Sequence, residues 1–167
     1  MRTTLTPQTR RRLDIQGFDA VDDGVLAPVA PWLRLAFALC ATLGALGTAL
    51  ASPTILLVLA GIAAMAAASP VHPFDFIYNY GIRHITGTGP LPRRGPPSRF
   101  GCGMGAIMLV PTAWLFSAGY PIAGYIFGGA LTALALLVAT TDICVPSLMY
   151  RAMFGWPRTE TRSSGAP

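Results

Sequence analysis

Lysine is absent from these 167 residues, and charge of either sign is scarce, with twelve arginines and seven acids making 11% of the chain. An ordinary soluble domain carries roughly 25%. That scarcity excludes the mixed, charged surface by which a water-soluble globule of this size stays dispersed. The deficit is also uneven: residues 35–69 and 100–141 contain no Asp, Glu, Lys or Arg. An uncharged apolar run beyond about 18 residues reads as membrane-spanning and one crossing takes about 20, so each gap suits two helices. Three cysteines are too few for a disulfide scaffold, and neither paired CxxC nor Cys/His zinc spacing occurs. A Walker loop, GxSxG, HExxH and a dinucleotide fingerprint are missing as well.

What is present is apolar, at 53% of the chain, and divided by proline and arginine. The pattern predicts an all-α membrane protein of four transmembrane helices forming two hairpins. The spans fall at about 32–50, 54–69, 100–118 and 122–141, inside a domain of residues 31–156. Ala51-Ser52-Pro53 and Gly119-Tyr120-Pro121 make the tight turns, since proline starts helices well and interrupts them badly. Pro111 is expected to kink the third span. Residues 1–30, with the Arg10-Arg11-Arg12 run and four Asp, read as a mobile tail, and 157–167 as a second. Residues 70–99 form the one substantial polar connection. Its aromatic first part, Phe74 to Tyr80, and the stretch after Pro146 read as short interfacial helices following the second and fourth spans.

Eleven of the twelve arginines lie in the tail before the first span, in the 70–99 connection and beyond residue 142, and Arg34 sits one turn inside the first span, within reach of the same side. The positive-inside rule therefore puts both termini and that loop in the cytoplasm of a bacterial inner membrane. The net charge of +5 is read as attraction to anionic lipid, with no nucleic-acid partner, because the arginines flank apolar runs and line no aromatic-studded face. Arg34, Tyr78, Tyr80, Arg93, Arg94, Arg99 and Arg151 are the expected contacts with headgroups or partner subunits, and bound lipid is the only expected ligand. Ala49-Leu50-Ala51 resembles a signal-peptidase site, but the apolar core before it exceeds the usual 7–15 residues and a second apolar run follows at once. The halves also resemble each other: Pro31-x-x-Arg34 matches Pro96-x-x-Arg99, and Pro53 matches Pro121. Because each copy crosses twice, a tandem repeat here implies an axis along the membrane normal.

Few residues promise chemistry. Gly101-x-x-x-Gly105 and Gly124-x-x-x-Gly128 put small residues on one helix face, where backbones approach closely. Cys144-Val-Pro-Ser147 sits where a new helix begins, and a helix N-terminus favours a thiolate. Cys102 starts the third span on the same side, whereas mid-helix Cys40 reads as packing. Asp142, the acid adjoining the apolar runs, is expected at the interface, capping the segment near Pro146 or pairing with Arg99 or Arg151. His72 and His84 both lie in the loop, which does not suit paired haem ligation, and neither a metal nor an organic cofactor is expected.

His72-Pro-Phe-Asp-Phe-Ile-Tyr-Asn-Tyr80, Gly87-Thr-Gly-Pro-Leu-Pro92, Arg99-Phe-Gly-Cys102 and Asp142-Ile-Cys144 with Ser147 and Tyr150 together resemble a bacterial family of small multi-pass membrane domains of unassigned function. The resemblance covers about half the chain and implies neither substrate nor cofactor. Many members look as though they carry CxxC where this chain has Cys144-Val-Pro-Ser147, so a dithiol at that motif is not expected here. The leading expectation is a non-catalytic accessory or scaffold subunit of a larger membrane complex. The alternatives are a thiol-dependent redox or sulfur-handling component using Cys144, and a small-solute transporter working as a homo-oligomer.

Overall fold

Proline sets the start of five helices. It stands in the first turn of α1 (Pro7–Leu13), α4 (Pro53–Ala68), α7 (Pro96–Ser117), α8 (Pro121–Thr141) and α9 (Val145–Phe154), where its missing N–H would have no intrahelical partner anyway. The computed structural model describes residues 5–156, and among these every regular element is helical. The remaining helices are α2 (Asp23–Leu33), α3 (Leu35–Ala49) and two short turns, α5 (Asp75–Ile77) and α6 (Arg83–Thr86). A single π-helical turn occupies Tyr78–Ile82, and residues 14–18 carry a kink at Gly17.

Among the described residues three helical stretches are long and apolar enough to cross a membrane: Asp23–Ala49, Pro96–Ser117 and Pro121–Thr141. The fourth apolar helix, α4, has 16 residues, about 24 Å at 1.5 Å per residue. The side chains these helices turn outward are themselves apolar. Leu46, Leu57, Val58, Ile107, Val110, Ile122 and Ile126 are all exposed, the reverse of a soluble bundle, whose outer stripe is polar.

The tight turns at Leu50–Ser52 and Ala118–Tyr120 join α3 to α4 and α7 to α8, yet the most extensive packing runs between the hairpins, α4 on α7 and α3 on α8. Under the correspondence of Arg34 with Arg99, these two packings exchange. Leu56, Leu59 and Ala60 of α4 and Leu109 and Ala113 of α7 form the core between the spans. Small side chains let α3 and α8 approach each other. A Cβ on Gly44 would stand 3.2 Å from Thr132 Oγ1, and one on Gly128 would collide with the Thr48 side chain, so each helix lays a threonine over the other's glycine.

Several sequence expectations are corrected. The supposed tail over residues 1–30 contains α1 and most of α2, and its Leu13 and Phe18 are buried in a second core with Leu26, Ala30 and Leu33. Leu26, Ala30 and Leu33 share one face of α2, and Leu13 and Phe18 meet them once the chain folds back at Gly17, whose φ of 97° is open to glycine at little cost. The first long apolar helical stretch begins at Asp23 instead of Trp32, with Pro28 and Pro31 inside it and a break at Arg34. Pro111, the position of the expected kink, lies inside α7, which is helical on both sides of it. Tyr78, expected among headgroups, is fully buried against Trp32, with ring centroids 5.3 Å apart. The expected tail at 157–167 lies outside the described residues.

Candidate functional site

Two guanidinium clusters close one end of the bundle. Asp142, in a left-handed conformation at the C-cap of α8, accepts from Arg34 Nε at 2.7 Å and from Nη2. Arg34 Nη1 donates to the Thr140 carbonyl at 3.2 Å, Arg12 to the Thr141 carbonyl at 2.7 Å, and Gln16 Nε2 to the Asp142 carbonyl at 2.8 Å. Donors from three elements thus satisfy the last carbonyls of α8, where the helix dipole is negative. The expected partners of Asp142, Arg99 and Arg151, are elsewhere. Arg99 donates to the Ala67 and Ala68 carbonyls at the end of α4, at 2.9 and 2.8 Å. Arg151 holds Asp14, Ile15 and Asp19 of the amino-terminal arm. Nor does Asp142 cap the helix at Pro146, whose N-cap position is held by Cys144.

The second cluster is sealed from solvent. Arg94, 3% exposed, forms a two-pronged pair with Asp75 at 2.9 and 2.8 Å. It reaches the Leu33 carbonyl at 3.4 Å and lies over the Phe37 ring, 5.1 Å from its centroid. Its Nη1 has no partner. Asp75 also accepts from the His72 backbone N–H at 3.2 Å, tying loop 70–99 to the start of α3. Arg93 and Tyr80 are exposed.

Next to this pair the bundle encloses a cavity of about 370 Å³. All three cysteines line it: Cys40 from α3, Cys102 from α7 and Cys144 from the α8–α9 link, together with His72. All three thiols are free. Cys40 Sγ lies 3.9 Å from His72 Nε2. On the other side of that ring, the Phe74 backbone N–H donates to Nδ1 at 3.2 Å, which assigns the proton of a neutral ring to Nε2 and aims it at the sulfur. Burial, helped by the Arg94 charge, pushes the His72 imidazole down to about 4, so it stays neutral near pH 7. At Cys144, burial pushes the thiol up despite hydrogen bonds with Ser147 that favour the thiolate. The expected thiolate-stabilising helix start is therefore outweighed by desolvation.

The rest of the wall is apolar except for two threonines. Thr48 and Thr132 line the cavity, but their hydroxyls are buried against Gly128 and Gly44 and have no hydrogen-bond partner among the described residues. No Asp, Glu or Arg faces it among the described residues. Phe127, Leu134 and Met149 line the cavity and are also exposed, so it reaches the outer surface beside α8 and α9. Of the four glycines singled out by spacing, Gly128 receives Thr48 and Gly124 abuts Phe116. Gly101 lies against Cys144, where a Cβ would stand 3.4 Å from Sγ, and Gly105 faces open space at the cavity. Among the described residues no three His, Cys, Asp or Glu side chains are gathered closely enough to hold a metal ion.

Sequence reasoning missed Cys40 and His72 as a pair. They are 32 positions apart, one in an apolar run and one in a loop, and only the return of the chain after α4 brings them together. The available signal was Pro70, which directly follows the Ser69 C-cap of α4 and leaves His72 within a short turn back towards the bundle.

Residues 30–154 match the family model described as a domain of unknown function (DUF4395). No curated protein and no solved structure matches the chain.

Proposed function

From the premise that the chain belongs to this family, DUF4395, whose name assigns no activity, we propose that it is a thiol-dependent membrane component working in redox or sulfur chemistry. One observation carries the reading: three cysteines from three separate elements line the same cavity as a buried, neutral histidine. A thiol spent merely on packing has no reason to share a void with the others, and interiors ordinarily leave few voids larger than a water molecule. All four residues lie within the 30–154 match.

The same reading places the protein in a bacterial inner membrane with both termini in the cytoplasm, supported by the gathering of Arg12, Arg34, Arg94, Arg99 and Arg151 at one end of the spans. That assignment puts the cavity's thiol end near the cytoplasmic side, where glutathione keeps thiols reduced. Counting free thiols in native membranes before and after mild oxidation tests the function. The expected outcome is a reversible loss of maleimide-reactive thiols that is abolished in the Cys40→Ser, Cys102→Ser, Cys144→Ser triple variant, accompanied by the phenotype of a deletion. A triple-serine strain indistinguishable from wild type sinks the proposal.

A second reading, an accessory subunit docking a partner, is favoured by a different feature. Phe76, Ile77, Tyr80 and Ile85 expose large apolar surface on α5, α6 and the turn between them, with Phe76 stacked on Tyr80 at 5.8 Å. Purification from native membranes with no co-purifying protein counts against it. Arg34, Arg94, Arg99 and Arg151 add little to that reading, because they are engaged within the chain.

A further inference from the structure

A second cavity, of about 580 Å³, shares no lining residue with the thiol cavity, and its size is that of an ordinary small-molecule site. The amino-terminal arm lines it with Thr6 and Thr9, α2 with Ala27, Ala30 and Pro31, and the Arg34–Asp142 pair completes the wall. Arg34 stands at the edge of the charge-free run 35–69 and Asp142 at the edge of the run 100–141. Both therefore sit where hydrocarbon gives way to headgroups. Trp32, which also lines the cavity, belongs to a residue type enriched at that level.

Of the two charges in the pair, the accessible one is the cation. The Arg34 side chain is 37% exposed and that of Asp142 5%, and Arg34 already occupies both carboxylate oxygens. A guanidinium carries five N–H bonds. Arg34 uses two on Asp142 and one on the Thr140 carbonyl, so Nη1 and Nη2 each keep one. The Thr6 and Thr9 hydroxyls, bonded to each other at 2.8 Å in an exposed position, have one hydrogen left between them. Arg12 donates to the adjacent Thr141 carbonyl, so two guanidinium groups meet one carboxylate and the roughly half negative charge at the end of α8. The cluster keeps a positive surplus. A suitable ligand is rich in acceptors, carries negative charge, and has no cation of its own, because the carboxylate that would receive one is closed off. Part of it is apolar, to match Leu5, Ala30, Pro31 and Trp32 on the rest of the wall.

We propose that this cavity holds the phosphodiester headgroup of an anionic phospholipid, with phosphate oxygens accepting from Arg34 and the glycerol region lying against α2 and Trp32. The site is independent of the thiol reading and needs only that the charge-free helices lie in lipid. Phosphate esters dissolved in water share the headgroup's chemistry but lack the apolar portion that the α2 side of the cavity receives.

Native mass spectrometry of the full chain released from detergent, titrated with dioleoylphosphatidylglycerol, tests the site. One lipid copy should be held saturably, and several-fold better than dioleoylphosphatidylcholine, whose ammonium cancels the phosphate charge. Arg34→Gln with Asp142→Asn removes both charges together and leaves no uncompensated buried carboxylate. It should weaken retention about tenfold, the loss of about one charge-assisted hydrogen bond. Thr9→Phe fills the cavity from α1 without touching the pair and should abolish the held copy. Retention is read in the variants that keep the wild-type circular dichroism and thermal midpoint. Glycerol 1-phosphate at matched concentration should not displace the lipid. Equal retention of the phosphatidylcholine, wild-type retention in either folded variant, or displacement by glycerol 1-phosphate each overturns the assignment, the last by pointing to a soluble phosphate ester.

Discussion

A guanidinium shut away from water is tolerated only while a carboxylate faces it, and Arg94 has Asp75 in that role. Removing one partner leaves an uncompensated buried charge, which costs about 3–5 kcal/mol, whereas replacing both by apolar groups is often neutral. Asp75→Asn is therefore expected to lower the thermal midpoint in detergent sharply, and Asp75→Leu combined with Arg94→Met should recover most of the loss. His72 gives a pH signature at the same scale. Its pKa falls from 6.5 to about 4 in the folded chain, so below pH 6.5 the unfolded chain takes up a proton that the folded one refuses. Stability contributed by the neutral ring is fully present above about pH 6.5 and is lost as pH falls towards 4, by up to ~3 kcal/mol. His72→Gln should flatten the stability curve in that window and leave it unchanged above. A variant with the same slope as wild type would show that the ring is not buried neutral.

Among the elements, the glycines divide by what faces them, and the sequence spacing alone does not make that division. Gly128 is overlaid by Thr48 and Gly105 by nothing, although both belong to the same kind of GxxxG step. Gly128→Leu should separate α3 from α8, costing about 1–3 kcal/mol or more by overpacking. Gly105→Ala should cost less than about 0.5 kcal/mol, since alanine outranks glycine as a helix former. Unfolding of both variants by a detergent titration, followed by circular dichroism, tests the contrast. A Gly105→Ala loss as large as that of Gly128→Leu would mean that α7 packs more closely there than the open cavity allows. The helix starts at Pro53, Pro121 and Pro146 were legible from sequence because first-turn proline is a local, steric signal, whereas those at Pro7 and Pro96, read as tail and loop, were not. The pairing of α4 with α7 and of α3 with α8 was not, since it depends on which faces meet.

At the level of the whole molecule, the amino-terminal arm acts as a clamp on the arginine-rich end. Arg12 and Gln16 hold the end of α8, Arg151 holds Asp14 and Ile15, and Gly17 lies backbone to backbone against Gly95, where a Cβ on Gly17 would stand 2.9 Å from the Gly95 Cα. Deleting residues 1–22 removes these contacts along with Leu13 and Phe18 from their core. Each large side chain is worth about 1.5–3 kcal/mol of burial. The truncated chain should still insert its spans, which lie C-terminal to the cut, but lose several kcal/mol against detergent denaturation and expose the link at residues 142–144 to proteolysis. Unchanged resistance to protease would show that the arm adds nothing to the bundle.

Hydropathy and charge placement settled that the chain is helical, apolar and divided into spans by proline, because those properties depend on residues close together in sequence. The arginines at one end were equally visible. Which arginine meets which carboxylate, that Tyr78 turns inward, that residues 5–30 fold at all, and that three thiols and a histidine share a cavity were decided only in three dimensions. Each depends on contacts between residues tens of positions apart, and in an apolar chain with few charges many alternative pairings satisfy the same linear pattern until packing selects one.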